Sequence, residues 1–216
     1  MNIKRIVYAK TVLPCDQAIE GGKSDENVPI VFSFFAVTTE NKVILVDAGC
    51  TFMPGFVLTE FVTPDKALAN AGIAPSEVTD VVITHAHHDH IEGVKLFSEA
   101  TVYIQEDEYA SCSEHLDGRD VTLIGERLEI AEGICAVRVG GHSKGSSIVE
   151  VNDGDKVIVL CGDECYLRES LEKSVPSGSI YSRENCMAFL KKYSVKPYVC
   201  LLTHVTEGDE VYFNGN

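Results

Sequence analysis

The 216 residues carry 18 basic and 33 acidic side chains, for a net charge of −15, and 45% of them are hydrophobic. An acidic surface without a basic patch excludes nucleic acid as an expected partner, and no run of 18 apolar residues offers a transmembrane helix. A chain of this length buries a core large enough to fold without disulfides and reads as a single domain over residues 1–216.

The N-terminal MNIKRIVYAKTVLP has basic residues but no apolar h-region and no small-residue cleavage site, so it reads as a strand rather than a signal peptide. IVFSFFAVTT is β-rich, and ENK turns the chain into VILVDAG. CTFMPGFVLTEF, around residues 50–61, is apolar: it either joins the core or lines a pocket for an acyl group. TPDKALANAG predicts a helix, with Thr63 as N-cap, Pro64 at N1 and Gly72 past its end. VTDVVITH is a short apolar strand running into HAHHDH. TVYI is a strand and QEDEYASCSEHL a helix. ICAVRVGG is a strand leading to His142, and SSIVEV and KVIVLCGD form a hairpin across NDGD. SRENCMAFLKKYS is an amphipathic helix capped by Ser182, and PYVCLLTH is a last strand ending at His204. Strands and helices mixed in this way predict a layered α/β fold.

The eight cysteines form no CxxC pair, and several lie inside apolar strands such as VIVLCGD. They read as reduced, mostly buried thiols of a cytoplasmic protein.

The polar residues of interest fall at strand ends, where α/β folds build sites. His85 and His87 are two apart, so in an extended or turning segment they can face one side. Asp89 and His90 come a turn later, where they can face a second ion. His142, Asp163 and His204 follow three further strands. Imidazole and carboxylate suit zinc, iron and manganese. Four ligands close a tetrahedral zinc, so seven suit two ions that share a carboxylate and leave room for a bridging water.

THAHHDHIEG as an HxHxDH signature, GGHSKGS, CGDECY, LLTH and the earlier ILVDAG with Asp47 occur in one order along the chain. In these motifs the sequence resembles the metallo-β-lactamase superfamily. The resemblance implies a four-layer αββα sandwich, two mixed sheets flanked by helices, with a dinuclear site at one edge. It implies that His85, His87 and His142 hold the first ion, that Asp89, His90 and His204 hold the second, and that Asp163 bridges them. Both are divalent, with zinc expected and iron or manganese as alternatives. His88 takes a variable position of the motif and is expected to contact loop or solvent. His115 has no expected role. Asp47 is either an orienter of a ligand histidine or a turn residue.

Two such ions bring a shared water to near-neutral pKa, giving a bridging hydroxide that attacks a carbonyl. The D-x-x-Y spacing from Asp163 to Tyr166, and YIQEDEYASC, resemble the N-acyl homoserine lactone lactonases. That resemblance makes Tyr166 the residue that holds the substrate carbonyl, and leaves Asp89 or Asp163 to protonate the leaving alkoxide. The expected partner is a small molecule with a carbonyl group, a lactone or ester first. Oligomeric state is left open, with a homodimer allowed. Lys144, where many relatives have proline, is either an exposed turn lysine or a contact for an anionic substrate. Rival readings are a glyoxalase II-like thioesterase, a flavodiiron oxidoreductase and a non-catalytic metal-binding module. The first carries a C-terminal helical extension, whereas twelve residues follow His204 here. The second usually has glutamate at the His87 position and adds a flavin domain.

Overall fold

The computed structural model describes residues 1–206 and the backbone of residues 211–213. Two sheets lie at its centre. The first contains β1 (Asn2–Pro14), β2 (Asn27–Thr38), β3 (Val43–Val46), β4 (Asp80–Ile83), β5 (Thr101–Gln105) and β6 (Val121–Ile124), in that order. The second contains β7 (Arg127–Ala131), β8 (Ile134–Arg138), β9 (Ser147–Asp153), β10 (Lys156–Leu160) and β11 (Tyr198–Leu201). A short β12 (Val211–Phe213) pairs antiparallel with β1 at the edge of the first sheet. Both sheets are mixed. β3 through β6 run parallel, whereas β1, β2 and β3 alternate. β7 to β10 alternate, and β11 adds in parallel to β10.

Side-chain alternation along the strands makes the layers. Phe35, Ile44, Val46 and Val82 face Ala136, Val149, Val151 and Leu160 across the gap between the sheets. Leu45, Val81, Ile83 and Ile104 face the other way, onto helices α2 (Pro64–Asn70), α3 (His88–Ile91) and α4 (Glu106–Cys112), through Leu68, Ile91 and Cys112. Ile148, Val159 and Cys200 pack on α6 (Arg183–Tyr193) through Phe189, Leu190 and Tyr193. Each of these buried aliphatic side chains contributes about 1.5–3 kcal/mol. β4 is buried on both faces, as its unbroken apolar run requires. This is the four-layer αββα sandwich that the sequence resemblance implies.

Most predicted elements form, with informative differences. Thr63 precedes Pro64 in extended conformation, but its side chain makes no cap bond. The α4 helix begins one residue later than predicted. Gln105 ends β5 and serves as N-cap, its side chain accepting from Asp107 N. Ser182 caps α6 as predicted, accepting from Asn185 N. Gly154, at φ 67°, closes the β9–β10 turn. β6, β7 and a short helix, Arg168–Lys173, had no clear sequence signal. They are brief, half-exposed segments whose polar content hides the strand pattern.

All eight cysteines are free thiols, and six of them are buried. Among the described residues no helix is long and apolar enough to cross a membrane.

Candidate metal centre

Four strand ends supply the site. β4 from the first sheet runs into His85, and β8, β10 and β11 from the second precede His142, Asp163 and His204. His87 is the N-cap residue of α3, and that helix carries Asp89 and His90. All seven residues predicted as ligands come together, in two groups. One is His85, His87, His142 and Asp163, and the other is Asp89, His90 and His204. Within each group the donor atoms lie within 4.8 Å of one another.

Asp163 faces both groups through different oxygens. Its Oδ2 is 3.7 Å from His85 Nε2 and 3.5 Å from His142 Nε2. Its Oδ1 is 3.1 Å from His90 Nε2 and 3.0 Å from His204 Nε2. His87 Nδ1 lies 2.9 Å from both His85 Nε2 and His142 Nε2. Asp89 Oδ2 is 3.3 Å from His90 Nε2.

The outer ring nitrogens are pinned by acceptors. His204 Nδ1 donates to the Val31 carbonyl at 2.8 Å, and His142 Nδ1 to that of Ser179 at 2.9 Å. His90 Nδ1 donates to Asp47 Oδ2 at 2.8 Å. Thr84 Oγ1 gives its proton to Asp47 and so accepts from His85 Nδ1 at 3.1 Å. With Nδ1–H committed outward, each Nε2 lone pair is turned inward, as metal ligation requires. Asp47 is therefore an orienter of a candidate ligand and not merely a turn residue. It stands at φ 67°, a left-handed conformation that aspartate tolerates.

The donor set fits divalent ions. His90 Nε2 is buried without a hydrogen-bond partner, although it lies 3.1 Å from Asp163 Oδ1. Burial holds the His85 and His142 imidazoles below their usual pKa, hence neutral. Burial pushes the Asp163 carboxyl up, but His90, His204 and His85 outweigh it and hold it well below the usual range. For His90, burial lowers the pKa, yet Asp163, Asp89 and Asp47 together raise it well above normal. A divalent ion needs neutral imidazoles beside ionised carboxylates: His85, His142 and Asp163 already stand in that state, whereas an ion bound at His90 displaces the proton that its three carboxylates favour.

Asp47→Asn tests the outer contacts. Asp47 accepts from Thr84 N and Oγ1 through Oδ1 and from His90 through Oδ2. An amide keeps only one acceptor. The expected result is a roughly 10–100-fold loss of affinity for a divalent ion at the His90 group, read by chelator competition. Wild-type affinity would remove Asp47 from the site.

Tyr166 was predicted to reach the substrate. Its Oη donates to Asp163 Oδ2 at 2.5 Å, and its ring stacks on His204 at 5.0 Å. Burial, then Asp163, keeps its pKa well above that of a free phenol, so the group remains a donor. A cavity of about 300 Å³ opens over the two groups. Leu13, Ile30, Phe32, Met53 and Phe56 form its apolar wall. The 50–61 segment divides between core and cavity wall. Cys50 is core, while Met53 and Phe56 line the cavity, with Phe56 edge-on to Phe32 at 5.7 Å. Lys144 pairs with Asp107 at 2.7 Å and is absent from the cavity wall. His88 lines the cavity but contacts the Phe52 carbonyl at 3.0 Å, and it belongs to neither group. His115 also lies outside both.

Two of the buried carboxylates that the sequence reading passed over brace the loops of the site. Glu164 Oε1 accepts from Gly141 N, His142 N and Ser146 Oγ, fixing the backbone at His142. Burial lifts its pKa to about 7. Glu108 ties together the segments after β4 and β8. Its spacing to Cys112, the other fully inward residue of α4, was the available signal.

Comparison with known proteins agrees with this geometry. The sequence matches the Metallo-beta-lactamase superfamily over residues 28–204. It is 25% identical over 167 residues to an N-acyl homoserine lactonase of Bacillus cereus, covering 66% of this chain and 67% of that protein. A solved N-acyl homoserine lactone hydrolase, with N-hexanoyl-L-homoserine at its catalytic metal center, superposes with a TM-score of 0.80 at 18% identity. That superposition covers 94% of this chain and 92% of the other. AidC, a dizinc quorum-quenching lactonase, gives 0.72 at 17% identity, covering 96% and 87%. At such identities these structures speak for the fold. With a family match that spans most of the sequence and ends at His204, the last of the clustered histidines, the chain belongs to the metallo-beta-lactamase superfamily and is a hydrolase of that group.

Proposed function

We propose that the chain hydrolyses a neutral acyl lactone or ester at a two-ion site. The observation that carries this reading is Asp163, whose two oxygens face two separate ligand groups. His85, His87 and His142 would hold one ion, Asp89, His90 and His204 the other, and Asp163 both. When bound, two such ions supply Lewis acidity and bring a shared water to near-neutral pKa. Zinc suits this N/O donor set, and a dizinc lactonase shares the fold.

The chain's own residues do the rest. The apolar wall of Leu13, Ile30, Phe32, Met53 and Phe56 accepts an acyl chain and excludes water from it. Tyr166 Oη, protonated and facing the cavity, can turn from Asp163 to the substrate carbonyl oxygen. Water adds to the carbonyl carbon and gives up a proton, the C–O bond to the leaving oxygen breaks, and the released alkoxide takes up that proton. Asp89 suits the transfer, accepting the proton from the water and passing it on. Both aspartates line the cavity, but Asp163 is engaged through both oxygens and Asp89 pairs with histidines through Oδ2.

Among the described residues no lysine or arginine lines the cavity. Glutathione thioesters and β-lactams carry carboxylates, and away from the ions the cavity wall offers no side-chain cation to pair with one. This favours a neutral substrate over the thioesterase reading.

The test is zinc analysis with a hydrolysis panel of acyl lactones, simple esters, glutathione thioesters and β-lactams. Two zinc ions per chain and preferential turnover of neutral lactones are expected. Full metal occupancy without turnover of any of them, or iron with oxygen reduction, overturns the reading. Tyr166→Phe is expected to keep its metal and lose on the order of tenfold or more in kcat. An unchanged rate on every substrate would remove Tyr166 from the mechanism.

A further inference from the structure

Glu108 lies beneath the site and outside both ligand groups. It is 5% exposed on the first turn of α4. Its Oε2 accepts from Ala86 N at 2.9 Å, while Oε1 accepts from Ser143 Oγ and Gly145 N, each at 2.7 Å. Ala86 stands between His85 and His87, and Ser143 follows His142. One carboxylate thus joins two loops that leave strands of different sheets. None of these three bonds is made by α3, which carries Asp89 and His90, or by the segment of His204.

The joint is closely fitted. A Cβ on Gly145 would sit 2.3 Å from Gln105 Oε1 and 2.9 Å from Glu108 Cγ. Gln105 caps α4 through Asp107 N at 2.5 Å, which fixes the helix carrying Glu108. Across the joint, the His87 and His142 rings are 4.7 Å apart.

We infer that Glu108 is a positioning residue: it sets the separation of the two loops and so preorganises the His85, His87 and His142 group, leaving the other group untouched. This rests on the two-ion reading above. The chemistry of the side chain makes it specific. Donors stand at both oxygens, and a carboxylate accepts at both. An amide of the same shape must turn its NH₂ toward a donor on one side, breaking one loop contact whichever way it flips.

The test is Glu108→Gln, loaded with Zn²⁺ and challenged with rising chelator while retained zinc is measured. One ion is expected to leave at a chelator concentration about 10–100-fold lower than in wild type, with the second ion unchanged. Far-UV circular dichroism should match wild type. Wild-type retention of both ions, or equal weakening of both, overturns the inference. If Glu108→Gln does not fold, Ser143→Ala decides, since it removes one of three donors. It should weaken the same single ion by a smaller factor, and no weakening rejects the role. A wild-type chain that takes up fewer than two ions refutes the two-ion reading itself, and the inference with it.

Discussion

His87→Ala is expected to abolish hydrolysis while leaving a folded protein. His87 Nδ1 lies at the centre of the first group, 2.9 Å from the Nε2 atoms of both His85 and His142. Truncation leaves that group with two histidines and one shared carboxylate. A catalytic ion is worth several kcal/mol of transition-state stabilisation, so a loss of at least about 10³-fold in kcat/KM is expected. Bound zinc should fall to one ion per chain or below. The exposure of His87 makes the experiment clean. The other histidines of that group are buried, and replacing them would leave cavities and unpaired polar atoms. An exposed side chain changes stability by about 0.5 kcal/mol at most, so the metal-free variant should share the Tm of metal-free wild type while activity disappears. Two zinc ions and measurable turnover in His87→Ala would remove it from the ligand set.

The candidate cluster was legible in the sequence because metal chemistry restricts residue types. Histidine and aspartate at four strand ends stand out from their apolar runs, and the structure brings all seven together. Layering was legible for the same reason, since buried strands such as VVI and VIVL can only lie within a sandwich. What escaped notice was the support. The Val31 and Ser179 carbonyls that pin His204 and His142 are backbone atoms, which have no sequence signature. Glu108 and Glu164 read as ordinary surface acids in a chain with 33 of them. Their burial depends on loops that approach only after folding. The strands that were missed are those whose packing is weakest, half-exposed β6 and β7.

The second large effect belongs to Asp163, and it differs in kind from that of His87. Asp163→Asn preserves shape but removes one acceptor and the negative charge. Whichever way the amide turns, its NH₂ faces two imidazole nitrogens on one side, at His85 and His142 or at His90 and His204. An NH₂ group cannot ligate a metal, so one ligand group loses its fourth donor and the two lose their common bridge. The carboxylate also raises the pKa of His90 and His204 and accepts from Tyr166. Its removal therefore disturbs both ion positions and the substrate-facing hydroxyl together. The expected result is at most one zinc per chain, and a fall in kcat/KM of at least about 10³-fold. Combining it with Tyr166→Phe should add much less than the tenfold loss expected of that change alone, because the two side chains act as one hydrogen-bonded unit. Metal analysis and steady-state kinetics on the two single variants and the double variant measure this directly. Additive losses would mean that Tyr166 acts independently of Asp163, and retention of two ions in Asp163→Asn would mean that this carboxylate does not bridge them.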